Sequence, residues 1–436
     1  MRFSSKILQF ILLFLISLPA GGRLQGQELV ESFNAREHEI PVKLWIDDSH
    51  FRTTKAYPLS IQRNLHSFWG SLLAASDGRL YLPPATHSDL GASIWLVRFD
   101  PRTGMMDMVF EARKQFGKQI GADGLWDSKI HTGVKEGKDG KLYFCGMIGG
   151  SYATMYTHMV HPSAYMGGHL YEYDLKTGRT VDMGIPHRYA SIITADLDID
   201  RDTIYMLAWP QSEFLIYPLK TRNVRNLGTV TYHPTGPNNK RLQWGRDLFV
   251  YRDHTVWLSN NFGCFVKYDP AVDDLVDTKI ALPKNDALRV HVMGRGPTDG
   301  KVFCTTAAGW MFEFDPVAGK LIELGAVTER GPVYSPNLTI TPDGKILYYI
   351  AGSHGDEIKG GMQIMRYDIA ERKRTSLGFI GRENIPAFYC YGATYYNGLV
   401  YFNIHGGDPS NSYLLVFDPG DNRIAGEQMK QEGAQQ

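Results

Sequence analysis

A chain of 436 residues with 46 Lys and Arg against 46 Asp and Glu has a formal net charge of zero, which excludes a uniformly basic nucleic-acid binder and an acidic disordered tail. Its 43% hydrophobic content is enough for a large core. With 45 glycines, 24 tyrosines, 21 phenylalanines and 8 tryptophans, strands joined by tight turns are favoured over helices.

The first segment reads as an export signal. Arg2 and Lys6 precede an apolar run from Ile7 to Ala20, with small residues at Ala20-Gly21-Gly22. That run is too short for a stable membrane span, and later stretches are less apolar. Residues 1–27 are therefore expected to be a signal peptide and short leader, cleaved after Ala20 or near Gln27, and the mature protein to be periplasmic or extracellular. Cys145, Cys264, Cys304 and Cys390 each lie in an apolar stretch and none forms a CxxC pair, so small buried hydrophobes are expected. A Cys264–Cys304 bridge between neighbouring units is the alternative.

From residue 28 to 424 the chain repeats. A turn and strand of the form Asp-Gly-basic-apolar-aromatic recurs at Asp77-Gly78-Arg79-Leu80-Tyr81, at Asp139 to Tyr143, at Asp299 to Phe303 and at Asp343 to Tyr348. Weaker copies start at Asp202, His254 and Asn397. Such pairs before an alternating apolar run mark tight hairpins. The second half of the repeat is a strand ending in aromatic-Asp, at Asp100, Asp174, Asp269, Asp315, Asp368 and Asp418, with Tyr217-Pro218 as a degenerate copy. A unit recurring about every fifty residues predicts a β-propeller, here a single seven-bladed all-β domain. The apolar segment Ile40 to Ile46 is expected to complete the last blade from outside. Residues 425–436, rich in Gln, Glu and Gly, read as a disordered tail.

Laid on that plan, polar residues gather on one face. The long loops of four consecutive blades carry His354, His405, His87 and the pair His158 and His161. The longest runs from Gly149 to Pro162 and adds Tyr152 and Tyr156, a wall suited to contact or to packing on itself. Entries to the inner strands add His66, His131, Arg188, Tyr189, Trp244, Arg246, Arg289, His291, Asn337 and Tyr391. Taken singly, each is expected to be a hydrogen-bonded structural residue; taken together they describe a cationic, aromatic, carboxylate-poor mouth. Guanidinium pairs with carboxylate, imidazole and phenol bond hydroxyls, and Trp or Tyr stacks on sugar faces.

The carboxylates on that face (Asp89, Asp356, Glu357, Asp408) lie in polar loops and do not form the pair a glycosidase needs. β-Elimination from a uronic acid fits better. It needs a cation on the carboxylate, a base for the C5 proton and an acid for the leaving O4, roles that Arg, His and Tyr can divide.

The signal segment, the blade repeats and the mouth together resemble the secreted seven-bladed propeller polysaccharide lyases of the ulvan-lyase type and related rhamnose–glucuronate lyase or hydrolase propellers. The resemblance spans the mature chain in architecture, although blade repeats are shared by many unrelated propellers. It implies two histidines of one blade, a tyrosine and an arginine as the catalytic set. That points to His66 and His87, with Tyr189 or Tyr152 and Arg246 or Arg188; the blade carrying His131 and Gly167 to Tyr171 is the alternative. The catalytic expectation is His66, His87, Tyr189 and Arg246. Substrate contacts are expected from His131, Tyr152, Tyr156, His161, Arg188, Trp244, His291, Tyr391 and His405.

The expected function is a secreted lyase acting as a monomer on an anionic polysaccharide or oligosaccharide, with no nucleic-acid or membrane partner. No cofactor is required; a structural zinc or calcium is admitted by His158, His161 and His169. A histidine-centred propeller hydrolase, a non-catalytic glycan- or protein-binding propeller and a quinone-holding redox propeller are the competing readings.

Overall fold

A computed structural model describes residues 24–25, 31–47, 49–60, 65–86, 93–116, 127–149, 165–230, 245–260, 262–352, 361–381, 387, 389–406 and 411–420. Most of the expected signal segment and the 425–436 tail lie outside these residues. So do His87, Tyr152, Tyr156, His158, His161, Trp244 and His354.

The protein is all-β. Among the described residues the one α-helix is Ala112–Phe116, and the strands pair in antiparallel meanders. One such meander runs Ser191–Asp198, Thr203–Trp209, Glu213–Pro218 and Arg225–Thr229, each strand bonded to the next. The next two, starting at Leu248–Val250 and Leu288–Met293, repeat the pattern.

The repeat motifs explain the turns. In Asp77-Gly78-Arg79, the Asp77 carboxylate accepts from the Arg79 amide and from the Tyr81 hydroxyl, so the aromatic position of the motif reaches back to its own turn. Tyr143 does the same to Asp139. Gly78 has φ +81, a left-handed conformation that favours glycine after Asp. The aromatic-Asp half works likewise: Asp174 accepts from the amides of Lys176 and Thr177, and Asp315 from those of Val317 and Ala318, closing the turn into the outer strand.

Burial is greatest in the second strand of a meander and falls toward the outer one. Every residue of Thr203–Trp209 is buried, whereas Arg225–Thr229 and Asp274–Ala281 are largely exposed. A strand buried on both sides needs a sheet against each face. One apolar cluster supplies this, joining Met147 and Ile148 to Ile193, Leu207 and Phe214 of the next sheet and to Leu248, Leu258 and Val266 of the one after. The meanders therefore stack face to face.

The chain ends meet differently from the expectation. The strand that completes the last meander is Phe51–Pro58, which pairs with Tyr413–Phe417 from Tyr413↔Pro58 to Val416↔Lys55. The Ile40–Trp45 segment expected there lies one strand further out, as the hairpin partner of Phe51–Pro58. It touches the preceding meander through Trp45↔Phe379, so the two form one nine-stranded sheet. Both strands of this hairpin bury part of their length, Val42, Leu44 and Trp45 on one and Ala56 and Tyr57 on the other. Two further N-terminal pieces extend other sheets: Glu31–Asn34 pairs with Met105–Glu111, and Leu24–Gln25 with Thr180–Asp182. Leu24 and Gln25 fall within the stretch expected to be leader.

All four cysteines are free thiols, with Cys145, Cys304 and Cys390 buried, so the Cys264–Cys304 bridge does not form.

Candidate functional site

The innermost strands converge on a cavity of about 190 Å³. Its wall is built from chain segments 69–72, 131–135, 194–195, 246–247, 289–291, 336–338 and 391–393, one from each successive meander. Four of the innermost strands break register at their cavity end, between Asp127 and Lys129, Ile192 and Thr194, Leu288 and Val290, and Cys390 and Ala393. A bulge leaves an extra residue out of the ladder and turns its side chain or carbonyl. The extra residues here include Arg289 and Tyr391, and also Ile193, whose carbonyl oxygen accepts from His131 Nδ1 at 2.8 Å. The irregularities thus shape the site.

Arg289 and Arg246 line this cavity, and Lys129 packs on its Trp69. Arg289 is 5% exposed and lies with its guanidinium carbon 5.3 Å from the Tyr334 ring and 5.2 Å from the Tyr391 ring. Its Nε donates to the Tyr334 hydroxyl, while Nη2 is buried without a hydrogen-bond partner. Arg246 lines the same wall. Lys129, 3% exposed, places Nζ 4.3 Å from the centre of the Trp69 ring, itself part of the wall. Burial, helped by Arg246, brings the Lys129 pKa down to about 7.

His131 lines the cavity between these groups. Burial first, then Lys129, Arg289 and Arg246, hold its pKa well below the ordinary histidine value, so it is neutral at pH 7. Its Nδ1 proton is committed to the Ile193 carbonyl, which leaves the Nε2 lone pair available as a base. Its ring lies 6.3 Å from that of Tyr391. Burial and the nearby Tyr334 keep the Tyr391 phenol protonated far above neutrality.

Further along the inner strands the charges are paired. Lys135 Nζ lies 2.8 Å from Asp196, and Asp196 also accepts from the Val250 amide. His291 Nδ1 donates to Asp247 at 2.7 Å. Burial alone would lower the Lys135 pKa, but Asp196 outweighs it and the net shift is upward. The cavity expected to be nearly free of carboxylates therefore has Asp247 on its wall, with Asp196 behind Lys135.

Of the expected residues, the structure brings His131, Arg246, His291 and Tyr391 to the cavity wall, with His291 held by Asp247. His66 and His405 form a neighbouring group with Trp69 and Tyr389: ring centres are 6.0 Å apart for His66–His405, 5.6 Å for Trp69–His405 and 4.8 Å for Tyr389–His405. His66 touches this group without lining the cavity. Arg188 and Tyr189 are not on the wall: they sit in the turn before Ser191–Asp198, and only Thr194 and Ala195 of that strand reach the cavity. Tyr189 is held there at φ +62, its amide bonded to the Met166 carbonyl. The expected catalytic role of Tyr189 thus loses its geometry, and Tyr391 is the phenol at the site. His169 is structural, bonded with Tyr165 to the buried Asp127. The Gly167-Gly168 pair before it reflects close packing, since a Cβ on Gly168 would lie 2.2 Å from the Gly146 carbonyl oxygen.

Residue-type reasoning passed over Lys129, Trp69 and Tyr334, and named Arg289 only as a strand entry. Lys129 stands two positions before His131, a spacing that places side chains on one side of a strand.

No protein-family model matches the chain, and no curated protein matches its sequence. Among solved structures, the fold is similar to a chain of Kuenenia stuttgartiensis hydrazine synthase at a TM-score of 0.52 and 12% identity, over 83% of this chain and 98% of that one. At that identity the likeness concerns the propeller-type fold alone.

Proposed function

We propose that the protein is an exported seven-bladed propeller enzyme that cleaves a uronic-acid-containing glycan by β-elimination at the axial cavity. Seven wall segments, one per meander, support the blade count. A leader ending at Ala20 leaves the Leu24–Gln25 strand intact, consistent with export. The observation that carries the chemistry is Arg289: a buried guanidinium on the cavity wall with one donor, Nη2, lacking a partner. A buried charged donor without an acceptor is costly, and a ligand carboxylate satisfies it.

In this reading the uronate carboxylate binds Arg289 and Arg246. That draws charge from C5 and stabilises the enolate-like state formed when the C5 proton leaves. His131 Nε2 takes that proton. Arg289 and Arg246, two of the cations that suppress its basicity, are the ones the carboxylate offsets, so the base strengthens when substrate binds. Tyr391 supplies a proton to the leaving O4. The aromatic group of Trp69, Tyr389, His66 and His405 offers stacking and hydroxyl contacts to an adjoining sugar. No step calls for a cofactor, and the partner is an anionic polysaccharide or oligosaccharide.

The test is incubation of the protein with a panel of uronate polymers, including ulvan, rhamnogalacturonan and glycosaminoglycans, followed by ultraviolet absorbance and product mass. A rise in absorbance from a C4–C5 double bond is expected on at least one polymer. Reducing sugar without the double bond would indicate a hydrolase. Absence of product on every uronate polymer would overturn the enzymatic reading.

A further inference from the structure

Tyr391 stands in the register break between Cys390 and Ala393. The peptide that carries it is held by two buried asparagines, Asn337 and Asn403. Asn337 Nδ2 donates to the Cys390 carbonyl at 3.1 Å and to the Ile350 carbonyl at 2.9 Å, while its Oδ1 accepts from the Ile350 amide at 2.7 Å. Asn403 Oδ1 accepts from the Tyr391 amide at 3.1 Å and from the Gly392 amide, and its Nδ2 donates to the Gly70 carbonyl at 2.9 Å. Each asparagine thus ties its own meander to the next, and both meet at the Cys390–Tyr391 peptide. The contact continues beyond it. A Cβ on Gly392 would lie 2.7 Å from the Leu72 amide nitrogen, and one on Gly70 would lie 2.9 Å from that of Gly133, in the wall segment that carries His131.

We propose that Asn337 and Asn403 are positioning residues for Tyr391, setting its phenol against His131 and Arg289 in the axial cavity. The Tyr391 ring centre is 6.3 Å from that of His131 and 5.2 Å from the Arg289 guanidinium carbon. A bulge frees a strand from the direction its ladder would impose, so the aim of the bulged side chain must come from other contacts. A carboxamide suits that task because it carries a donor and an acceptor in one plane, and each asparagine here uses both on backbone groups. An aliphatic replacement leaves buried peptide groups unpaired, and the peptide then turns to find partners, carrying the phenol with it. A displacement of about 1 Å is enough to cost a reacting group much of its rate. Asn337 lines the cavity and Asn403 does not, so Asn403 reaches a ligand only through the strand it holds. That Tyr391 has a proton to deliver rests on the elimination reading; where its ring stands does not.

The experiment reads Tyr391 directly in the full-length protein labelled with 3-fluorotyrosine, where its fluorine resonance is the one lost in Tyr391→Phe. Asn403→Ala and Asn337→Ala should each shift that resonance while most of the other tyrosines keep theirs. Circular dichroism establishes that a variant is folded, and either variant decides by itself. A Tyr391 resonance left in place, or a shift spread over all the tyrosines, would overturn the proposal. A second measurement uses a uronate polymer that the protein cleaves. There Asn403→Ala should lower kcat about tenfold or more with KM within about twofold, and should add nothing in a Tyr391→Phe background. An equal loss in both backgrounds would show that Asn403 does not act through Tyr391. If no polymer is cleaved the elimination reading fails, and the fluorine spectrum still decides the placement of Tyr391.

Discussion

Two lysines six positions apart in one segment show how the cavity is divided. Lys135 is paired with Asp196, and its charge is favoured in spite of burial. Lys129 has Trp69 and Arg246 beside it, and its charge is disfavoured. The floor is thus built as a protein interior ordinarily treats charge, each cation matched to an anion across neighbouring inner strands. The upper cavity holds cations together against their own repulsion. An arrangement that opposes folding stability is the kind that binding sites retain, because an anionic ligand offsets like charges held together.

Substitutions can break this contrast. The largest effect is expected from His131→Gln, which removes the base: turnover on a uronate polymer should fall about a hundredfold to ten-thousandfold, with thermal unfolding unchanged. Next is Arg289→Met, expected to lower kcat/KM about a hundredfold or more while leaving the melting temperature equal or higher, since a buried charge with an unpartnered donor is removed. An Arg289→Met protein that keeps full activity would place the carboxylate elsewhere.

Stability separates the two lysines more directly. Lys135→Met strands Asp196 and should destabilise by about 1–2 kcal/mol in urea denaturation. Lys129→Met removes an opposed charge and should raise the melting temperature by a few degrees at pH 7. If both substitutions moved stability the same way, the contrast between floor and mouth would fail.

The smallest effect is in pH. Lys129 has a folded pKa of about 7, below its unfolded value, so between pH 7 and about 10 the unfolded chain binds more protons and stability rises with pH. The gain in unfolding free energy from pH 7 to 9 should therefore be larger in wild type than in Lys129→Met. Burial and the nearby cations hold the His131 pKa well below its ordinary value, so the acid limb of kcat/KM should lie below the ordinary histidine range.

The fold was legible because its signals are local. Asp77-Gly78 and Phe99-Asp100 are turn chemistry complete within a few residues, and they recur. The site was legible in part. His131, Arg246 and Tyr391 could be placed because a strand entry is a position along the chain. Tyr189 was misplaced because direction there depends on a left-handed turn that the repeat does not encode. Arg289 and Tyr391 sit at bulges in the pairing of their strands with the next strand of the chain, an irregularity that the repeat motif does not encode. Lys129 was overlooked for another reason: its character comes from burial and from Arg246, and residue type alone does not reveal either.

The pairing of Phe51–Pro58 with Tyr413–Phe417 also dictates the order of events at birth. The meander Ser191–Asp198 to Arg225–Thr229 finds its partners within forty residues of chain, and can zip as it emerges. Phe51–Pro58 is made among the first strands and must wait for nearly the last before its edge is covered. Until then the edge of Phe51–Pro58 is uncovered and competent for pairing with a neighbour. The clasp is therefore the step at which a chaperone or a truncation decides between a closed ring and an aggregate.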